Sequence, residues 1–113
     1  MPSLSIRIDL GPGRRIGPGK IALLEKIAEA GSIAAGGRAL DMSYKRAWDL
    51  VDEIGVLCGK PVVAPRTGGK RGGGATLTPF GMALIERYRE IEQAALKAVQ
   101  PQLKALQREI GKG

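Results

Sequence analysis

Apolar and polar residues alternate along residues 3–10, with leucine or isoleucine at every even position. This period of two predicts a half-buried strand. Residues 11–20 are dense in glycine and proline, which predicts a loop. From Pro18 to Ala30 the apolar residues recur every three or four positions, so we expect an amphipathic helix that ends at Gly31.

Residues 31–54 have the pattern of two helices joined by a tight turn. Ser32 and Ser43 can each cap a helix, and Asp41 can supply the turn between them. Small residues in the first helix would let the second cross closely over it. The inward face of the second helix would carry Met42, Ala47, Val51 and Ile54. The pattern predicts a helix-turn-helix whose recognition helix spans about 43–55, with Tyr44, Lys45 and Asp49 in solvent.

The segment after this unit predicts a wing, the Gly-rich loop 66–75 between two short strands. Pro61 to Pro65 reads as an edge strand, and a second strand begins at Ala75. Lys70 and Arg71 lie in the loop, where glycines would let the backbone approach a sugar-phosphate chain. A solvated hairpin without a ligand is the alternative interpretation.

The last part of the chain predicts a long helix. Thr78 can cap it, Pro79 suits its first position, and Pro101 predicts a break. Up to residue 99 this helix would be about 30 Å long, more than a small core can cover. Its apolar stripe therefore predicts a homodimer interface made of Leu84, Ile85, Tyr88, Ile91, Ala95 and Val99.

These elements predict a mostly α fold with a small β wing: a winged helix-turn-helix domain over 1–78 and a dimerisation helix over 79–113. With 113 residues and 43% hydrophobic content, the chain can bury one modest core. Its formal net charge is +7, and the excess lies in the Gly-rich stretches, with +3 in residues 1–20 and +4 in 55–75. This balance favours an anionic partner such as double-stranded DNA.

Several functional classes find no support in the sequence. We expect a cytoplasmic protein without a membrane partner, because no signal peptide or membrane span is evident. Without histidine and with a single cysteine, a zinc site or a histidine base is excluded, so we expect no enzyme and no cofactor. The glycines before Lys20 fail the phosphate-loop spacing. Cys58 is expected to be half-buried and inert, and Trp48 to pack on the core or on the first helix rather than stack on a base.

The chain resembles a known family in the Ser43-Tyr44-Lys45-Arg46-Ala47-Trp48-Asp49 string, the Gly-rich wing and Leu77-Thr78-Pro79-Phe80-Gly81. These residues look like the N-terminal DNA-binding domain of ModE-family molybdate-dependent transcriptional regulators, whose winged helix-turn-helix is similar to that of LysR-type regulators. The resemblance implies a dimer held partly by the long helix. It implies DNA contacts from Ser43, Tyr44, Lys45, Arg46, Lys70 and Arg71, to which we add Ser32 and Arg66.

The chain departs from the family pattern in two respects. Family members continue into paired molybdate-binding domains, which are absent from these 113 residues, and flexible glycine loops would bind oxyanions weakly. We therefore do not expect molybdate to bind this chain tightly. Gly36 and Gly37 should weaken their helix by about 1 kcal/mol each, which predicts modest stability.

The leading hypothesis is a dimeric transcriptional regulator that binds a pseudo-palindromic site. A winged-helix module that docks a protein and does not bind DNA specifically is the alternative. An enzyme accessory subunit or nucleotide-binding protein is a third hypothesis, disfavoured by the failed phosphate-loop spacing.

Overall fold

The computed structural model describes residues 2–66 and 74–111. The predicted wing residues Lys70 and Arg71 lie outside them. Over the described ranges the secondary structure consists of β1 (Ile8–Asp9), β2 (Arg15–Ile16), α1 (Pro18–Ala30), α2 (Ile33–Arg38), α3 (Tyr44–Cys58), β3 (Val63–Pro65), β4 (Ala75–Leu77) and α4 (Pro79–Ile110).

The end of α1 and the starts of α2 and α3 lie where the sequence predicted them, and α3 continues to Cys58. Gly31 ends α1 in the left-handed conformation at φ 81°, and its N–H donates to the carbonyl of Ile27 at 2.8 Å. The hydroxyl of Ser32 caps α2, and that of Ser43 caps α3 by accepting the N–H of Arg46 at 3.1 Å. These caps satisfy backbone groups that a helix leaves without partners at its ends.

The two glycines of α2 permit close helix crossing. A Cβ atom on Gly36 would lie 2.7 Å from Cγ1 of Ile27, and one on Gly37 would lie 2.8 Å from Cβ of Ala47. Both distances are too short for real carbon atoms, so α2 lies directly against α1 and α3. The sequence predicted that these two glycines weaken their helix. The structure shows that they also allow the close contacts of α2 with α1 and α3.

The predicted loop over 11–20 is partly wrong, because Arg15 and Ile16 form a strand. That strand pairs antiparallel with β1, with Ile8 opposite Ile16. The reason is burial: Ile16 packs in a core cluster with Ile21, Leu57 and Tyr88. The predicted strand over 3–10 is correspondingly reduced to two residues.

The second sheet forms the base of the wing. Strands β3 and β4 pair antiparallel, with Val63 opposite Leu77 and Pro65 opposite Ala75. The N–H of Ala75 donates to the carbonyl of Gly31 at 2.8 Å. This bond fixes the wing base beside the turn between α1 and α2.

Helix α4 continues through Pro101 to Ile110, so the predicted break is wrong. Proline removes one backbone donor, but this part of α4 is exposed, where water can hydrogen-bond the freed carbonyl. With 32 residues the helix is about 48 Å long. It therefore extends well beyond the core.

An ion-pair cluster sets the direction of α4 relative to α1. Arg89 donates to both carboxylate oxygens of Glu25, at 2.7 and 3.2 Å, and to Glu92 at 2.7 Å. The hydrogen bonds to Glu25 and Glu92 raise the pKa of Arg89. A bidentate ion pair such as that of Arg89 with Glu25 restricts the angle between α1 and α4 more than a single hydrogen bond would.

Candidate nucleic-acid interface

The first turn of α3 presents polar and basic side chains to solvent. Tyr44 is 58% exposed, and Lys45 and Arg46 are exposed beside it. Ala47 on the opposite side is fully buried against Gly37. The helix is therefore fixed on its inner side, while its outer side is free to meet a ligand.

Lys45 forms an ion pair with Asp49 one turn further along α3, at 3.1 Å. The side chain of Lys45 is nonetheless 85% exposed, and exposed pairs of this spacing contribute only about 0.3–0.5 kcal/mol. Lys45 can therefore leave Asp49 and bind an anionic ligand at a small cost in free energy.

Two further residues of the predicted DNA interface lie where the wing base, formed by β3 and β4, meets the turn after α1. They are Arg66 and Ser32. The guanidinium of Arg66 is so close to Gly31 that a Cβ there would lie 3.3 Å from it. Its backbone N–H donates to Gly74 at 3.0 Å. Ser32 is half-buried, and its hydroxyl accepts the N–H of Ala35 at 3.0 Å. Ser32 therefore positions α2, whereas Arg66 presents charge.

Several basic residues of the first 20 positions have partners within the chain. Arg14 donates to the carbonyl of Leu57 at 3.2 Å, and Lys20 pairs with Glu53 at 3.3 Å. Arg7 and Arg15 both lie 3.4 Å from Asp9. The contacts of Arg14 and Lys20 tie the hairpin β1–β2 and the start of α1 to the C-terminal half of α3, away from the exposed first turn.

The acidic residues of α3 do not form a metal site. Asp49, Asp52 and Glu53 are exposed, and residues 2–66 and 74–111 contain no group of three or more side chains suited to hold a metal ion. In the same ranges, every helix is too short or too polar to cross a bilayer.

Trp48 corrects the sequence interpretation in part, because the residue is 47% exposed and is not buried in the core. It lines an apolar groove of about 550 Å³ between α3 and the wing base, together with Ile33, Val51, Val56, Val63 and Pro65. Helix geometry could have indicated this position. Neighbouring residues lie 100° apart around a helix, so Trp48 turns away from the buried side that Ala47 occupies.

Cys58 is half-buried, as predicted. Burial raises the pKa of its thiol, although Arg14 and Lys20 act in the opposite direction. A raised pKa reduces the reactive thiolate at neutral pH, which agrees with an inert thiol.

The predicted dimer stripe on α4 divides into two parts. Tyr88 is 1% exposed, and its hydroxyl donates to the carbonyl of Ile6 at 2.6 Å, so it must be removed from the proposed interface. Leu84 and Ile85 also pack against the core of the same chain. The part of the stripe that no residue of the core covers, which we call the outward stripe, begins at Ile91, which is 40% exposed. Ala95 and Val99 continue it beyond the core.

No protein-family model matches the chain. The sequence is 47% identical over 85 residues to the molybdenum-pterin-binding protein MopB of Rhodobacter capsulatus, covering 75% of this chain and 32% of MopB. It is 44% identical over 81 residues to the DNA-binding transcriptional dual regulator ModE of Escherichia coli K12, covering 72% of this chain and 31% of ModE. It is 35% identical over 99 residues to the molybdenum transport protein ModE of Azotobacter vinelandii, covering 85% of this chain and 37% of that protein. The chain thus spans about a third of the length of these curated relatives.

Solved structures show the same fold. The DNA-binding domain of CbnR, solved in complex with DNA, superposes with a TM-score of 0.59 and 23% identity, covering 78% of this chain and 95% of that domain. Full-length CbnR with its target DNA gives a TM-score of 0.56 over 74% of this chain and 27% of that one. Sequence and fold together fit a ModE-like N-terminal winged-helix domain with a long C-terminal helix.

Proposed function

We propose that the chain is the sequence-specific DNA-binding part of a ModE-like transcriptional regulator. The observation that carries this proposal is the first turn of α3, where Tyr44, Lys45 and Arg46 protrude from a helix locked beneath by Ala47. A fixed helix start with polar and basic side chains suits the DNA major groove. The relatives named as ModE regulators support the same function.

The wing supplies sequence-independent affinity. Arg66 stands exposed at its base, and the sequence adds Lys70 and Arg71 in the loop. Lysine and arginine neutralise phosphates and release counterions, which makes binding depend on salt. Because the wing base is bonded to Gly31, its position relative to the helix-turn-helix is defined.

The protein acts as a dimer held by α4. Beyond the core this helix carries apolar side chains at helical spacing, from Ile91 through Ala95 and Val99 to Leu103 and Leu106. A helix with such a stripe gains stability when a second copy covers it. Two-fold symmetry would place two α3 helices on two half-sites of a pseudo-palindromic duplex.

Two of the relatives are named for molybdenum-pterin binding and molybdenum transport. The proposal therefore includes regulation by molybdate as a function of the whole protein. Tight molybdate binding by these 113 residues is not expected. The proposed role is DNA binding in the bacterial cytoplasm, and it includes no catalytic step and no cofactor.

The alternative function is a protein-docking module that does not bind DNA specifically. One observation favours it: the groove beside α3 is apolar, and Val56 at its edge is 74% exposed. Apolar patches of this kind are common at protein interfaces.

A binding experiment separates the two functions. Duplexes are first selected from a random-sequence pool with the purified protein, and dissociation constants are then measured for a selected duplex and its shuffled version at several salt concentrations. The DNA-binding proposal predicts at least about a hundredfold preference for the selected duplex and weaker binding at high salt. Equal affinity for both duplexes, or no binding to either, would support the docking module.

A further inference from the structure

Trp48 has no role in the function proposed so far. It is the chain's one tryptophan, and half of its indole faces solvent, whereas Phe80 and Tyr88 pack against the body of the protein. Placing a large apolar ring in water is unfavourable unless a ligand covers it. The exposed ring is therefore available for a contact with a ligand.

The position of Trp48 connects this ring to the first turn of α3. Trp48 follows Tyr44 by four residues, as Asp49 follows Lys45, so the four side chains share one exposed two-turn face. The packing of Ala47 against Gly37 fixes how this face is oriented. If Tyr44 and Lys45 meet base edges, Trp48 lies about 6 Å further along the helix, or roughly two base-pair steps of 3.4 Å.

The surroundings of Trp48 indicate what it meets. The groove beside the indole is mainly apolar, with Val51, Val63 and Pro65 among its walls, and Asp52 and Lys60 are its charged members. Base edges in the major groove present mostly hydrogen-bonding groups, and the apolar exception is the C5-methyl group of thymine. We propose that Trp48 is a specificity-determining residue that reads a thymine methyl group in the major groove. This inference rests on the proposed function.

The test removes the methyl group from the DNA and the indole from the protein in separate arms. Selected duplexes are synthesised with uracil in place of thymine at one position at a time, which deletes only the methyl. At one or two positions the unmodified protein should bind the uracil duplex about fourfold more weakly, as expected for one buried methyl-sized group. Trp48→Ala should bind the thymine and uracil duplexes at those positions equally.

Two further variants control for folding and for general loss of apolar surface. Trp48→Phe keeps an apolar ring and should retain part of the thymine preference. Met82→Ala shortens an exposed apolar side chain of α4 outside this groove, and it should leave the full preference unchanged. In the unmodified protein, the emission of Trp48 should also change more on binding the thymine duplex than the uracil duplex.

The outcomes are distinguishable. If the protein shows no sequence preference at all, the proposed function fails, and this inference fails with it. If specific binding is present but Trp48→Ala weakens thymine and uracil duplexes equally, the indole meets a sugar and the inference is overturned. If Trp48→Ala leaves DNA binding unchanged, the indole serves another partner, and the inference is again overturned.

Discussion

Gly37 of α2 faces Ala47 of α3 so closely that a Cβ atom on Gly37 would lie 2.8 Å from the Cβ of Ala47. Ala47 is fully buried, and the residues that precede it are the exposed first turn of α3. The contact therefore fixes the direction in which Tyr44 and Lys45 point. A loss of this contact would disturb the fold and the proposed DNA interface together.

Gly37→Ala should lower the free energy of unfolding by about 1–3 kcal/mol, because the added methyl forces two helices apart. Gly19→Ala is the matched control: a Cβ there would meet no atom within 4 Å, and Gly19 is also helical. That substitution should raise stability by up to about 1 kcal/mol, since alanine favours helix. Urea unfolding followed by circular dichroism measures both. Equal stability of Gly37→Ala and the parent would contradict the packing argument.

Much of this fold follows from local patterns in the sequence. Gly31 and Gly59, which end α1 and α3, and the capping residues Ser32, Ser43 and Thr78 mark helix ends by chemistry that acts within a few residues. Such signals can be recognised without knowledge of the tertiary structure. The helix-turn-helix and its exposed first turn were predictable for this reason.

Tyr88→Phe should lower stability by about 0.5–1.5 kcal/mol at neutral pH, because the carbonyl of Ile6 loses its donor. Burial, and secondarily Glu92, raises the pKa of the Tyr88 hydroxyl. A raised pKa in the folded state means that this group stabilises the fold below about pH 10 and that the contribution is lost as pH rises further. The fall in stability at alkaline pH should therefore be shallower in Tyr88→Phe.

The control for this prediction is Tyr44→Phe, which removes an exposed hydroxyl. It should leave the free energy of unfolding at neutral pH unchanged. Thermal unfolding between pH 7 and 11 measures the two variants. An identical alkaline fall in Tyr88→Phe and the parent would contradict the buried role of Tyr88.

The outward stripe of α4 should hold two copies together in solution. Light scattering at tens of micromolar protein should give the mass of a dimer. Val99→Glu should give a monomer, because a charge would be buried against the partner. Gln93→Glu adds the same single negative charge at an exposed position of α4 and should leave the dimer intact. A monomer mass for the unmodified protein would contradict the interface.

Two of the incorrect predictions share a physical cause, since both depended on contacts between distant segments. The burial of Ile16 among Ile21, Leu57 and Tyr88 turns part of a Gly-rich loop into a strand. The packing of Tyr88 on Ile6 removes it from the predicted interface, although its spacing along α4 matches the stripe. Spacing along one helix shows which residues share a face but not which surface covers that face.

The central claim is that the first turn of α3 chooses the DNA sequence while the wing contributes affinity. The most direct test is the ratio of dissociation constants for shuffled and selected duplexes, measured for two variants. Lys45→Ala should weaken binding to the selected duplex by about 1–3 kcal/mol and reduce the ratio. The double variant Lys70→Ala, Arg71→Ala should weaken both duplexes alike, keep the ratio and lower the salt slope by about one for each lost phosphate contact. Loss of the ratio in the wing variant and its preservation in Lys45→Ala would contradict the account.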